Sequence, residues 1–183
     1  MHHTEGIILS YYNIGEADRM LSFYTKDFGL QNIFAKSVRL TKSKFSAHTT
    51  LFSRTRISFV EGREFLRLTY AHSTDQFNIG QDKFAAASRA SGLVLRLVRG
   101  QEADRILWGM LDSAFSFLRN SSEVPEDFEM IFGVRVLRHL GYVGEVPSEI
   151  RAVLENEEWR SESDGISYSL LPIFQKGLRI SQL

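Results

Sequence analysis

Cysteine is missing altogether from the 183 residues and proline occurs only three times. No apolar stretch approaches the roughly 20 residues that cross a bilayer. The lack of cysteine excludes disulfides, thiolate metal sites and a cysteine nucleophile. The five histidines (His2, His3, His48, His72 and His139) do not share the close helical spacing of a zinc enzyme, so neither metal nor cofactor is expected. The N-terminus carries no basic segment leading into an apolar core, which excludes a signal peptide and suggests a cytoplasmic protein. Neither charge sign dominates, with 22 Lys/Arg against 22 Asp/Glu. The distribution is less even. Residues 1–80 hold ten basic side chains against seven acidic, and residues 81–183 twelve against fifteen. This tilt directs an anionic partner toward the N-terminal part.

What is present organises into two halves. Residues 4–12 are rich in β-branched and aromatic side chains, and further apolar runs follow at 20–25, 30–38, 51–60 and 63–71. Turn chemistry separates them at 13–18, at Asp27-Phe28-Gly29 and at Glu61-Gly62, and a long polar, basic loop fills 39–50. Five short strands with one long loop predict a small closed barrel of the OB type. From Gln81 the period lengthens. Phe84, Ala87, Ser91, Val94 and Val98 recur at three and four, as do Ile106, Leu107, Met110, Leu111, Ala114, Phe117 and Leu118. Pro125, followed by Glu126 and Asp127, opens a third helix that closes at Gly141, and Pro147-Ser148-Glu149 opens a fourth. Beyond Trp159 the pattern weakens, and residues 166–171 suit a short strand or an irregular tail. The expected fold class is α+β. A five-stranded OB-type barrel over residues 1–75 precedes an α-helical domain over 80–183, with the boundary near residues 72–82.

Residues 28–60 contain Lys36, Arg39, Lys42, Lys44, Arg54 and Arg56 without one Asp or Glu, and Phe34, Phe45, Phe52 and Phe59 are interleaved with them. Alternation along the fourth strand puts Ile57 and Phe59 on one face and Phe52, Arg54 and Arg56 on the other. Cations for phosphates beside a π-face for bases is what single-stranded nucleic acid requires. A solvated face of extended arginines around a core phenylalanine fits the same strand. The adjoining basic loop favours nucleic acid, so these six cations and Phe52 are the expected DNA-binding set. No catalytic constellation competes. Gly15-Glu16-Ala17-Asp18-Arg19 suits a structural ion-pair corner, and Lys42-Ser43-Lys44 lacks the glycines of a phosphate-binding loop. Glu155, Glu157 and Glu158 suit a solvated helix end, while Trp108, Phe115 and Phe117 at helical spacing suit a core. An enzyme is not expected.

The N-terminal residues resemble the RecO family of bacterial recombination mediators. The resemblance runs through Thr4-Glu5-Gly6-Ile7-Ile8-Leu9, Gly15-Glu16-Ala17-Asp18-Arg19, Thr25 and Gly29. It continues through Ala35-Lys36-Ser37-Val38-Arg39, Ser43-Lys44, Leu51-Phe52 and Gly62-Arg63. Phe128-Glu129 through Leu140-Gly141-Tyr142 is similar to the family's helix ending in Leu-Gly-Tyr. The resemblance implies a nucleoid-associated protein of DNA repair and recombination that binds single- and double-stranded DNA and anneals complementary strands. It further implies loading of RecA onto strands coated by single-strand-binding protein, together with RecR. No membrane association is expected, because no apolar stretch is long enough to span a bilayer. Many members carry a cysteine zinc module after Leu-Gly-Tyr, and a helical domain without one is expected here. Residues 150–183 match nothing in the family pattern. A reading of a different class is a protein-only adaptor, whose helical half docks RecR or the tail of single-strand-binding protein.

Overall fold

The computed structural model describes residues 1–75, 80–156, 158–160 and 165–181. Glu157, assigned above to a helix end, lies outside them, as does part of the expected boundary. The chain divides into two compact units. One combines Met1–Ile79 with Val98–Asp112, the other Gly80–Leu97 with Ser113–Leu183. The division is therefore not a single cut near residue 80, because the segment after the first helix belongs with the barrel.

In the first unit, β1 (His2–Ile14), β2 (Asp18–Thr25), β3 (Gly29–Ala35), β4 (Arg54–Glu61) and β5 (Leu66–Asp75) close into a barrel in the order β1-β2-β3-β5-β4. The long β1 pairs antiparallel with both β2 and β4, which its β-branched content and thirteen residues allow. A short parallel pairing, Ile33 with Leu66 and Phe34 with Arg67, completes the ring and leaves no free edge. Ile8, Leu21, Phe23, Ile33, Ala35, Val38, Ile57, Phe59, Leu68 and Ala71 fill the interior. Gly29 is required at the β2–β3 turn, since its φ is +62° and an added Cβ would lie 2.2 Å from the Glu102 carbonyl oxygen.

Three strands differ from expectation by three or more residues at an end; the fifth runs Leu66–Asp75 and not 63–71. The third strand stops at Ala35, because Ser37 adopts a left-handed φ of 55°. The fourth begins at Arg54 and not at residue 51, because Phe52 is left-handed as well, with φ 62°. The Phe52 N–H still donates to the Ile8 carbonyl at 2.8 Å, so the chain stays beside β1 while its side-chain alternation is broken. Phe52 is consequently buried, 2 % exposed, while Ile57 and Phe59 face the interior.

In the second unit, α1 (Gln81–Leu97) turns Ala87, Ser91 and Val94 inward but leaves Phe84 exposed. Next comes α2 (Arg105–Asn120), capped by Asp104, whose Oδ1 accepts from Ile106 and Leu107; its residues from Ser113 onward belong to this unit. At the centre, α3 (Phe128–His139) is buried along nearly its whole length. It ends at Gly141 as the sequence indicates, with the Gly141 and Tyr142 N–H groups donating to the carbonyls of Arg138 and Leu137. The short α4 (Ser148–Glu155) opens after Pro147. Arg135 is buried, and its Nη2 donates to the carbonyls of Val153, Asn156 and Glu158 while its guanidinium lies 4.5 Å from the Trp159 ring centre. Burial pushes its pKa down to about 10.

The expectation of a strand or irregular tail over 166–171 is overturned by a sixteen-residue helix, α5 (Ile166–Ser181). Pro172 within it masks the pattern in the sequence. Packing on α3 provides what local propensity does not. An added Cβ at Gly133 would lie 2.4 Å from Phe174, and one at Gly177 would lie 3.0 Å from Leu137. Both glycines therefore mark close approach of the two helices. Among the described residues no helix is long and apolar enough to cross a membrane.

Candidate nucleic-acid interface

The basic loop after β3 is built by the β1–β2 corner. Asp18 accepts the Ser37 N–H at 2.6 Å, Ala17 accepts the Arg39 N–H at 2.9 Å, and Arg39 Nη1 donates to the Gly15 carbonyl at 3.0 Å. The Gly15–Arg19 corner thus does structural work, but Asp18 does so by capping a backbone turn. Arg19 donates instead to Asn13 and lies 4.0 Å over the Tyr11 ring. Inside the loop, Ser43 N–H donates to the Leu40 carbonyl and Phe45 N–H to Ser43 Oγ. These bonds fold residues 36–45 around a concavity of about 230 Å³ lined by Lys36, Ser37, Leu40, Lys42, Ser43, Lys44 and Phe45. All three lysines are exposed and no acidic residue lines the hollow. Three ammonium groups around one small space repel each other, and an anion between them removes that repulsion.

Of the seven residues singled out by sequence, the fold brings Lys36, Lys42 and Lys44 together here. Arg39 is exposed beside them, its guanidinium directed to Gly15. Arg54 and Arg56 lie elsewhere on the barrel and are engaged with acids. Arg54 Nη2 meets Glu5 Oε2 at 2.7 Å, Arg54 Nη1 meets Asp112 at 3.0 Å, and Arg56 Nε meets the second Glu5 oxygen at 3.3 Å. Glu5 stands opposite Arg56 in the β1–β4 ladder, so the pairing follows from register. The Arg54 hydrogen bond is the main influence holding the Glu5 carboxyl below its ordinary value, against the opposing effect of burial. The Glu5 hydrogen bond likewise raises Arg54. The acid-free run from 28 to 60 is therefore not acid-free in space. Glu5 and Asp112 went unrecognised as its partners because they lie 49 and 58 positions from Arg54, and no local spacing links them. Phe52 is corrected outright. Its backbone is left-handed and its ring is buried, so it presents no face to a base.

Comparison with known proteins adds a separate line. Residues 1–77 match the family model "Recombination protein O N terminal". Over 161 residues the chain is 30% identical to the DNA repair protein RecO of Rubrobacter xylanophilus, covering 81% of this chain and 65% of that protein. It is 34% identical over 146 residues to the DNA repair protein RecO of Dehalococcoides mccartyi, covering 78% and 57%. A third relative, the DNA repair protein RecO of Thermodesulfovibrio yellowstonii, is 28% identical over 149 residues, covering 78% and 59%. The chain thus spans about three-fifths of the length of the relatives it matches.

Proposed function

We propose, from the match of residues 1–77 to the RecO N-terminal model and the likeness to RecO proteins, that this chain is a RecO-type DNA-binding protein of recombinational repair. The observation that carries this reading is the hollow of Lys36, Lys42 and Lys44, held open by the Asp18 turn on a closed barrel. Phosphates are the anions such a site suits, and ammonium groups hold them without regard to sequence. Arg39 extends the surface. Arg54 and Arg56 join it only by exchanging Glu5 for a phosphate, which makes them reserve contacts. The protein acts by binding alone, with no bond made or broken. Holding the phosphates of one strand lowers its repulsion toward a second, which is how this surface favours annealing of complementary strands. Loading of RecA onto strands coated by single-strand-binding protein, with RecR, is proposed on the likeness to RecO proteins alone and not on the hollow.

The test is fluorescence anisotropy with labelled single-stranded DNA at two salt concentrations. Lys42→Ala with Lys44→Ala weakens binding similarly for unrelated sequences. The log–log salt slope shrinks by about 0.7 per lost contact. Unchanged affinity and slope refute the assignment.

A second reading has its own observation. In the helical unit a groove of about 300 Å³ among α1, α3 and α5 is lined by Leu93, Met130, Phe132, Phe174 and Leu178, with Arg89 and Arg96 beside them. Apolar walls flanked by guanidinium groups suit an acidic, apolar peptide such as the tail of single-strand-binding protein, or a segment of RecR. Arg89 is held by Glu129 through both its Nε and Nη2, so Arg96 is the better anchor. Such docking responds far less to salt than phosphate binding does.

A further inference from the structure

With the Phe52 ring buried, the cations lack the aromatic surface that a single strand calls for. We propose that Phe34 and Phe65 supply it, stacked on one another at the outer surface where β3 meets β5, with single-stranded DNA as the occupant. The proposal rests on the nucleic-acid reading above and deepens it.

The two rings lie 6.3 Å apart with their planes 29° from parallel. Phe34 points outward by alternation, since Ile33 and Ala35 on either side are fully buried and Asn32 is exposed. Phe65 stands immediately before β5 and is 50 % exposed, among the most open large apolar side chains described. Its position is fixed by a tight turn. The Gly62 N–H donates to the Phe65 carbonyl at 3.0 Å, and a Cβ at Gly62 would approach that oxygen to 2.4 Å. Leu66, the next residue, packs against the barrel core, whereas neither Phe34 nor Phe65 is among the described residues that fill or line it. The barrel interior is thus complete without the pair. Half of a phenylalanine ring is left in water, where its apolar surface gains only by being covered.

Charge selects the occupant. Arg67 pairs with Phe34 in the parallel ladder and is exposed, and Lys36, two residues beyond Phe34, lines the lysine hollow. The turn itself carries Arg63 between Glu61 and Glu64, all exposed, so the phosphate-holding charge comes from Lys36, Arg67 and the loop. An aromatic face continuous with cations fits a nucleobase on a phosphate backbone. In a duplex the base faces are already covered, so only a single strand offers them.

The experiment compares the full chain with Phe65→Ala and Phe65→Leu, using labelled oligothymidylate and an abasic oligomer of equal length. Phe65→Ala weakens oligothymidylate about 5- to 150-fold, the range for one stacked base. Phe65→Leu, which keeps apolar volume without a π-face, falls nearly as far. The abasic oligomer binds wild type and variants alike, the salt slope stays constant, and the urea midpoint barely moves because the ring is half exposed. Equal loss on both oligomers overturns the stacking role. So does unchanged oligothymidylate binding in both Phe65 variants while the Lys42/Lys44 variant weakens it, an outcome that leaves the DNA reading standing. If wild type binds neither oligomer at low salt, both readings fall together.

Discussion

Replacing Phe52 by alanine isolates a ring that strand alternation would leave with the exposed arginines and that the fold buries on a left-handed backbone. The side chain is 2 % exposed, so truncation removes a full aromatic ring from the interior and leaves a void beside β1. Phenylalanine-to-alanine changes at such sites cost about 3–5 kcal/mol. Alanine gives no relief at φ 62°, since its Cβ meets the same carbonyl clash as phenylalanine. Glycine does give relief. Left-handed backbone costs an L-residue about 1–2 kcal/mol, and the extra chain entropy of glycine offsets only part of that. Phe52→Gly is therefore no less stable than Phe52→Ala, the reverse of the usual order in a strand. Urea unfolding monitored by circular dichroism gives both values, and anisotropy on the still-folded variants shows DNA affinity within about twofold of wild type. The reasoning is refuted by a stability loss below about 1 kcal/mol together with a tenfold loss of binding. That pair of results means an exposed ring that stacks on bases.

Glu5→Gln frees Arg54 and Arg56 from their shared carboxylate, so single-strand affinity rises and the salt slope steepens; a fall in affinity makes the ion pairs part of the binding surface itself. The folded carboxyl of Glu5 lies below its ordinary value of 4.5. Its contribution to stability is therefore present above that value and lost as pH falls through the lower, folded one, so in acid wild type loses stability faster than Glu5→Gln, as urea midpoints between neutral and acid pH measure. Arg135→Met strands the carbonyls of Val153, Asn156 and Glu158 and costs about 3 kcal/mol, read from the urea midpoint with Trp159 fluorescence as a local probe. Arg135→Lys recovers little, because one ammonium cannot both reach the carbonyls and lie flat over the indole; full recovery counts against that account.

The barrel was legible because strand period and turn chemistry are local. Asp27-Phe28-Gly29 and Glu61-Gly62 fall where turns occur, and alternation at Ile57 and Phe59 gives the interior face correctly. What escaped was decided at a distance. Nothing in Leu51-Phe52-Ser53 announces a left-handed residue, because Phe52 is bent there by its hydrogen bond to Ile8 and by burial of its own ring. The last helix escaped for a related reason. Pro172 argues against helix in any local window, and the opposing argument is the fit of Phe174 against Gly133, some forty residues earlier.

The charge pattern follows the same rule, with a consequence for where DNA binds. Counted along the chain, Lys36 through Arg56 form one basic set; counted in space, they form two. The strand arginines face β1, where register delivers Glu5 opposite Arg56 and neutralises much of their field. The loop lysines are built on a turn where Asp18 is already occupied by a backbone N–H. A phosphate arriving at Arg54 displaces a carboxylate already well placed, so the exchange gains little. A phosphate arriving among Lys36, Lys42 and Lys44 relieves a repulsion and displaces only water. The two sets therefore differ in what binding gains, although their residues are of the same kind. On that ground the loop makes the first contact, and the strand arginines follow only once Glu5 lets them go.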